Sequence, residues 1–172
     1  DYIEQGNLFI LKCNEYFTAK DFLIELLRVM GETPTSLQVS GLMRQIIKVL
    51  LKLKHPVIII DEADKLQDKV LFLFISLYNA LEGKCGLIIQ ATSYLKSRIT
   101  TGVEKNKKGY QEINSRIGGS FFEVPKPSRT DVIKICAANG VTDELTAVDI
   151  YNQANGDKRI VKRLVHAYLK TA

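Results

Sequence analysis

Two carboxylates directly follow an apolar run near the middle of the sequence. Val57–Ile60 is a run of four consecutive β-branched residues, which predicts a strand buried on both faces of a parallel sheet. Asp61 and Glu62 come next, at the carboxyl edge of the strand, where α/β proteins bind ligands. Mg²⁺ prefers oxygen ligands and keeps several waters, so the Asp61 carboxylate suits a magnesium ion, bound directly or through water. The plainer alternative is a strand that ends in an acidic turn.

A second apolar run also ends in small polar residues. Leu87–Ala91 predicts another buried strand, and Thr92 and Ser93 follow it. A hydroxyl group at the end of a neighbouring strand would lie at the same edge as the carboxylates. Thr92 is the preferred candidate and Ser93 the reserve. Thr and Ser are also common in ordinary turns, which is the alternative interpretation.

An arginine precedes the last predicted strand. The segment Glu112–Ile117 contains Arg116, whose guanidinium could neutralise charge on a phosphate group. The alternative is a surface ion pair between Arg116 and Glu112. Arg98 is a less favoured candidate for the same task.

A second arginine opens the last predicted helix. Gly156–Leu164 places Arg159 in the first turn, directly after Asp157, a good N-cap residue. The same segment also predicts a basic amphipathic helix with its apolar residues facing a core. Both interpretations can hold together.

A basic polar segment separates the second carboxyl-edge strand from the Arg116 region. Tyr94–Gln111 is rich in Lys, Gly and Thr, and predicts a mobile loop. Such a loop can bind nucleic-acid phosphates without recognising base sequence, and the plainer alternative is a solvated loop. Its cationic residues are Lys96, Arg98, Lys105, Lys107 and Lys108.

The elements around these residues alternate between strand and helix and then become helical only. Strands are predicted over Leu8–Cys13, Val57–Ile60, Leu87–Ala91 and Ser120–Val124. Helices are predicted over Ala19–Met30, Leu37–Leu53 and Asp68–Leu81, with three more opened by Ser128, Thr142 and Asp157. This order predicts an α/β fold with a parallel sheet, followed by a small helical bundle.

Composition restricts the class of protein. The 172 residues are 46% hydrophobic and 25% charged, which is ordinary for a globular chain, and the net charge of +5 favours polyanionic partners such as DNA. The three cysteines form no CxxC pair, so free buried thiols in a reducing cytoplasm are expected. No apolar run is long enough to span a membrane. The sequence opens with Asp1, so we expect a piece of a longer chain.

The order of these parts resembles an AAA+ ATPase over nearly the whole chain. Val57–Asp64 is similar to the Walker B motif of P-loop NTPases, and the resemblance implies that Asp61 holds Mg²⁺ while Glu62 polarises the water that attacks the γ-phosphate of ATP. It further implies that Thr92 is the first sensor, Arg116 the arginine finger that reaches a neighbouring subunit, and Arg159 the second sensor in the lid.

The resemblance also implies a domain organisation. Residues 1–125 correspond to a three-layer α/β/α core from its second strand onward, and residues 126–172 to the helical lid. The phosphate-binding pattern G-x-x-x-x-G-K-[ST] is absent from the sequence. We therefore expect the first strand and this loop upstream of Asp1, and we expect an open sheet edge and no tight ATP binding or hydrolysis by the chain as given.

One stretch of the sequence resembles a particular group of AAA+ ATPases. Leu8–Gly31, with its FLIELLRVMG run, is similar to ATPases of the phage Mu transposition-protein-B and TniB type. That likeness implies ATP and Mg²⁺ as cofactors, a homo-oligomeric ring or filament on DNA, and a transposase as a partner. Relatives of origin-recognition, clamp-loader or signalling NTPases remain alternatives, as does a non-hydrolysing adaptor that binds DNA or protein.

Overall fold

The computed structural model describes residues 7–171, which divide into two compact units with a boundary between Phe121 and Phe122. We call residues 7–121 the sheet unit and residues 122–171 the helical unit. The boundary predicted from the sequence, between Pro125 and Lys126, lies four residues further along. Each unit has its own cluster of buried apolar side chains.

The sheet unit is built on three parallel strands. Among the described residues, the sheet has the order β1-β2-β3, so the Asp61 strand lies between the other two. This arrangement confirms the predicted α/β class with a parallel sheet. The strands are β1 (Leu8–Lys12), β2 (Val57–Asp61) and β3 (Gly86–Ile89).

The helices of the sheet unit lie between and after these strands. Helix α1 begins with a capping box in which Thr18 and Asp21 satisfy each other's backbone N–H groups. The expected single helix over Asp68–Leu81 is interrupted at Phe72, where an i to i+3 hydrogen bond tightens the turn. The helices are α1 (Ala19–Val29), α2 (Val39–Leu50), α3 (Asp68–Leu71), α4 (Leu73–Leu81), α5 (Ser93–Glu104) and α6 (Tyr110–Arg116).

Only one face of the sheet is fully buried. On that face Phe9, Leu11, Ile58 and Ile60 join a cluster with residues of α1, α2 and α4. On the opposite face Ile10, Ile59 and Ile88 lie in one row, and Ile10 and Ile88 are 52% and 44% exposed. The expectation that Val57–Ile60 is buried on both faces is therefore wrong for the part of the chain that the structure describes.

The segment predicted as a mobile loop is largely helical. Within Tyr94–Gln111, α5 buries Leu95 and Ile99 at a spacing of one helical turn, and α6, which begins at Tyr110, buries that residue. The polar composition concealed this periodicity, because only one or two residues per turn are apolar. What remains of the loop is the short turn between Glu104 and Tyr110.

The predicted last strand does not form. Residues 120–124 have no regular secondary structure, and Phe122 and Val124 are 96% and 86% exposed. A strand needs a hydrogen-bonded neighbour, and no described strand pairs with this segment. Pro125 and Pro127 then remove two further N–H donors.

The helical unit consists of three helices around a small core. Helix α7 begins with a capping box of Ser128 and Asp131, as its sequence predicts. The cap of α8 is Asp143, one residue after the predicted Thr142, and its carboxylate accepts the N–H of Thr146. The helices are α7 (Arg129–Ala138), α8 (Glu144–Ala154) and α9 (Lys158–Thr171).

The cysteines are free thiols in the structure. Cys13 and Cys136 are buried as expected, whereas Cys85 is half-buried. Burial, reinforced by the negative charges of Asp61 and Glu62, raises the pKa of Cys13 to about 12. A thiol with so high a pKa stays protonated and is a poor nucleophile.

Candidate functional site

Asp61 ends β2 at the carboxyl edge of the sheet, as predicted. The backbone N–H of Cys13 donates to the Asp61 carbonyl at 2.9 Å, which ties this edge to the end of β1. The Asp61 carboxylate accepts the backbone N–H of Glu62 at 2.9 Å, and it makes no ion pair with any described residue. It is therefore available to a cation at the edge where α/β sheets bind ligands.

Glu62 turns the chain sharply away from the sheet. Its backbone is left-handed (φ 55°, ψ 36°), a conformation that non-glycine residues adopt at a cost in energy. The following short 3₁₀ turn, Ala63–Lys65, is fixed to the end of β3 because the Ala63 N–H donates to the Gln90 carbonyl at 3.0 Å. Backbone strain beside a carboxylate pair is a common property of functional sites.

The Glu62 carboxylate lies between two lysines. Its Oε1 is 3.2 Å from the Lys12 ammonium, and its Oε2 is 2.5 Å from that of Lys65. Hydrogen bonds from Lys65 and then Lys12 lower the pKa of Glu62, and they outweigh desolvation, which acts to raise it. Glu62 is therefore ionised, and each oxygen has one ammonium contact, so a water molecule that Glu62 orients must share an oxygen with a lysine or displace that lysine.

Thr92 reaches the same edge through a residue that sequence reasoning missed. Its hydroxyl donates to Asp64 Oδ2 at 2.8 Å, and its backbone N–H lies 3.4 Å from Oδ1. Asp64 thereby joins the Glu62 turn to the end of β3. Its place three residues after Asp61 was the only indication in the sequence. Ser93, the reserve candidate, begins α5, and its carbonyl accepts the Ser97 hydroxyl.

Arg98 fixes the turn that follows Glu62 by hydrogen bonds to backbone carbonyls. Its Nη1 donates to the carbonyls of Leu66 at 2.8 Å and Asp64 at 3.3 Å, and its other nitrogens contact the Asp68 carboxylate. The Tyr110 hydroxyl completes the cluster by donating to Asp68 at 2.6 Å. The Arg98 side chain is only 14% exposed. It is thus a structural residue here and not a free arginine finger.

The contacts with Arg98 and Tyr110 lower the pKa of the Asp68 carboxylate. Desolvation raises the pKa of Asp68, but the hydrogen bonds from Tyr110 and Arg98 and the Arg98 charge outweigh it, so the net pKa is lowered. Asp68 therefore stays ionised and keeps Arg98 in place.

Arg116 is held within its own unit. It ends α6, its Nε donates to Asn79 Oδ1 at 2.7 Å, and its guanidinium lies 5.7 Å from the Tyr78 ring centroid. The expected alternative partner, Glu112, does not engage it among the described hydrogen bonds and ion pairs. To reach another subunit, Arg116 would have to give up the Asn79 contact.

The basic residues predicted to contact nucleic acid occupy two settings. Lys96 lies on α5 rather than in a loop, and its ammonium is 5.8 Å from the Phe121 ring centroid. Lys105, Lys107 and Lys108 are exposed in the turn between α5 and α6. Of the predicted loop cations, these three are the ones that the structure places outside a helix.

Arg159 belongs to the helical unit. It lies exposed in the first turn of α9, where its backbone N–H donates to the Asp157 carboxylate at 2.7 Å. An open concavity of about 550 Å³ surrounds this turn and is lined also by Lys126 and Lys158. The predicted N-cap role of Asp157 is thus present.

The carboxyl edge of the sheet can hold a magnesium ion if water or a bound phosphate group supplies the remaining ligands. No group of three His, Cys, Asp or Glu side chains that could hold a metal occurs among residues 7–171. Mg²⁺ commonly takes one or two carboxylates and completes its shell with water and phosphate oxygens. The single carboxylate of Asp61 is enough for such a site, because it makes no ion pair with any described residue.

The comparison with known families identifies the sheet unit. A family model described as an AAA domain matches residues 4–99. The chain belongs to this AAA family. An AAA domain is a nucleotide-binding module of the ATPase type, and the family generally binds ATP with Mg²⁺. No curated protein matches the chain.

The AAA match covers some of the candidate residues and not others. It includes Asp61, Glu62 and Thr92, which the structure brings to one edge of the sheet. It ends at Ile99, so it gives no assignment to Arg116 or to the helical unit.

No described helix is long and apolar enough to cross a membrane.

Proposed function

We propose that this AAA module hydrolyses ATP with Mg²⁺ to regulate a nucleoprotein complex, as a DNA-binding ATPase of the transposition type. The observation that supports it is the shared edge of Asp61, Glu62 and Thr92, in which the Asp64 carboxylate joins Thr92 to the turn that follows Glu62. A site that binds a nucleotide and activates water needs an acidic metal ligand, a general base and a polar group beside them.

The proposed roles follow from the contacts. Bound magnesium would neutralise phosphate charge, and Asp61 is the side chain free to hold it. Glu62 would accept a proton from water after release from Lys65. Thr92 would keep the Glu62 turn in place through Asp64. Arg116 and Arg159 are proposed as phosphate contacts from a neighbouring subunit and from the helical unit.

We also propose a homo-oligomer, in ring or filament form, that contacts DNA and works with a transposase or other nucleoprotein partner in the cytoplasm. Support comes from the net charge of +5 and from the exposed cations of the α5–α6 turn. The proposed DNA contacts are Lys96, Lys105, Lys107 and Lys108.

ATP hydrolysis tests this proposal directly. The protein, with any sequence that precedes Asp1 in its gene included, is assayed with and without DNA beside its Glu62→Gln variant. We expect turnover that DNA stimulates and that falls by about 10²-fold or more in the variant, because the general base is lost while ATP binding remains. Glu112→Gln, a matched change at an exposed glutamate of α6, should leave turnover unchanged. Equal turnover in all three proteins would exclude Glu62 as the base.

A second candidate function is a non-hydrolysing adaptor. The observation that favours it is the contact of Glu62 with both Lys12 and Lys65, which lowers the pKa of the carboxylate and so makes it a weaker base toward water. ATP binding without turnover, in the presence and absence of DNA, would support this candidate. Turnover that appears only in Lys65→Ala would show instead that the lysine restrains an active site.

A further inference from the structure

Helix α9 concentrates the positive charge of the helical unit. Five of the eight Lys and Arg residues in positions 122–172 lie on α9, and none of the six Asp and Glu residues does. The unit as a whole is only weakly basic, so this distribution is a segregation of charge and not a general excess. The cationic residues are Lys158, Arg159, Lys162, Arg163 and Lys170.

These side chains share one face of the helix. At about 100° per residue, the five cations and His166 fall within an arc of about 140°, and at 1.5 Å per residue they extend over about 18 Å. All six residues are exposed. Within the helical unit no α9 cation forms an ion pair with a described carboxylate. We call this surface the α9 basic face.

We propose that the α9 basic face binds the phosphate backbone of duplex DNA. A row of unpaired cations is complementary to the regular row of phosphates on a duplex, and releases condensed counterions when it binds. This surface is distinct from the α5–α6 turn, so the inference extends the proposed function to a new site. It does not require ATP hydrolysis.

The packing of α9 argues against an anionic membrane as the partner. A helix that lies in a lipid surface inserts its apolar side, but Val161 and Val165 are buried in the core of the helical unit and Leu164 packs against it. Ile160, Tyr168 and Leu169 are 36%, 36% and 45% exposed, but they fall at separate angles around the helix and form no continuous apolar side that could insert into lipid. The basic face carries one aromatic ring, the His166 imidazole, and no Phe, Tyr or Trp on which successive unpaired bases could stack, which favours a duplex over a single strand.

Binding of a labelled DNA duplex, measured by fluorescence anisotropy over a range of salt concentrations and without ATP, tests the proposal. The variant Lys162→Ala/Arg163→Ala/Lys170→Ala spares Arg159 and retains helix propensity. We expect affinity about tenfold weaker near 50 mM salt, and a slope of log K against log salt reduced by about 2 to 3, one per lost phosphate contact. Far-UV circular dichroism checks that α9 remains folded.

The matched control is Arg44→Ala/Lys48→Ala/Lys52→Ala, which removes the same charge from an exposed row on and just after α2. A loss confined to the α9 variant supports the inference. Equal losses in both variants would show a response to net charge alone and would overturn it. So would binding through α9 that favours an RNA duplex, single-stranded DNA or phosphatidylserine vesicles over duplex DNA.

A further variant separates this inference from the proposed function. Lys105→Ala/Lys107→Ala/Lys108→Ala removes the cations of the α5–α6 turn. If only this variant loses DNA binding, the α9 inference fails and the proposed DNA contact stands. If only the α9 variant loses binding, the inference stands even where no ATP turnover is found.

Discussion

Glu62 is restrained in both its backbone and its side chain. The left-handed backbone fixes the direction in which the side chain leaves the turn, and the two ammonium groups fix the position of its carboxylate. Lys65 is the closer partner and also lies on the same short turn, so it moves with Glu62, whereas Lys12 belongs to β1. The state of the carboxylate therefore depends chiefly on Lys65.

Removing Lys65 should raise the pKa of Glu62 toward the ordinary carboxyl value. The lowered folded pKa means that the ionised form stabilises the protein above the unfolded pKa, and that this stabilisation is lost as pH falls through the folded pKa. Lys65→Ala should thus unfold at a higher pH during acid titration than the wild type. Carbon-13 NMR of the Glu62 carboxylate measures the pKa itself. A larger rise in Lys12→Ala would contradict this order of partners.

Arg98 should be more important for stability than its polar surroundings indicate. Arg98→Ala leaves the carbonyls of Asp64 and Leu66 without their donor and removes the ion-pair partner of Asp68, which keeps its hydrogen bond from Tyr110. We expect a loss of about 2 kcal/mol in the free energy of unfolding. The half-exposed Asp68 limits the ion-pair share, because solvent screens it. Urea unfolding measures the loss, and Arg44→Ala, at an exposed position of α2, should lose little.

Sequence reasoning found the residues that follow apolar strands and missed those joined by distant contacts. Asp61, Glu62 and Thr92 were predictable because strand ends are visible in the sequence. The Asp64 contact to Thr92 spans 28 positions, and the Arg98 contact to Leu66 spans 32. No local pattern encodes such pairs. Arg98 was accordingly considered as a catalytic group, although burial gives it a structural task.

At the scale of elements, the errors concern segments with little apolar content or without a partner. Helix α5 was predicted as a loop because its buried side is narrow, with Leu95 and Ile99 one turn apart. The 120–124 segment was predicted as a strand from apolar content alone, which cannot show whether a neighbouring strand exists. The three parallel strands were predictable, because a continuous apolar run indicates strand without any partner being known.

The contact between α5 and α6 depends on a glycine. A Cβ atom at Gly102 would lie 2.3 Å from the Tyr110 ring, so the two helices approach too closely there for any side chain. Gly→Ala in a helix normally stabilises by about 1 kcal/mol, but here we expect overpacking to destabilise by about 1 to 3 kcal/mol. Thermal unfolding of Gly102→Ala and of the exposed neighbour Thr101→Ala tests this. A gain in both variants would show that the ring moves freely.

At the scale of the whole molecule, the chain has two separate cores. The cluster of the sheet unit and that of the helical unit share no residue. A unit of about 50 residues buries a smaller fraction of its surface on folding than a larger domain does, and is only marginally stable. The helical unit should therefore open more readily than the sheet unit, and a substitution in its core should act locally.

Two apolar residues of α8 test this local response. Ile150 is 4% exposed in the core of the helical unit, whereas Leu145 on the same helix is 81% exposed. Ile150→Ala should cost about 2 to 4 kcal/mol and speed amide hydrogen exchange across α7, α8 and α9, with the β-strands still protected. Leu145→Ala should change neither quantity. If Ile150→Ala speeds exchange equally in β1 and β2, the two cores unfold as one cooperative unit.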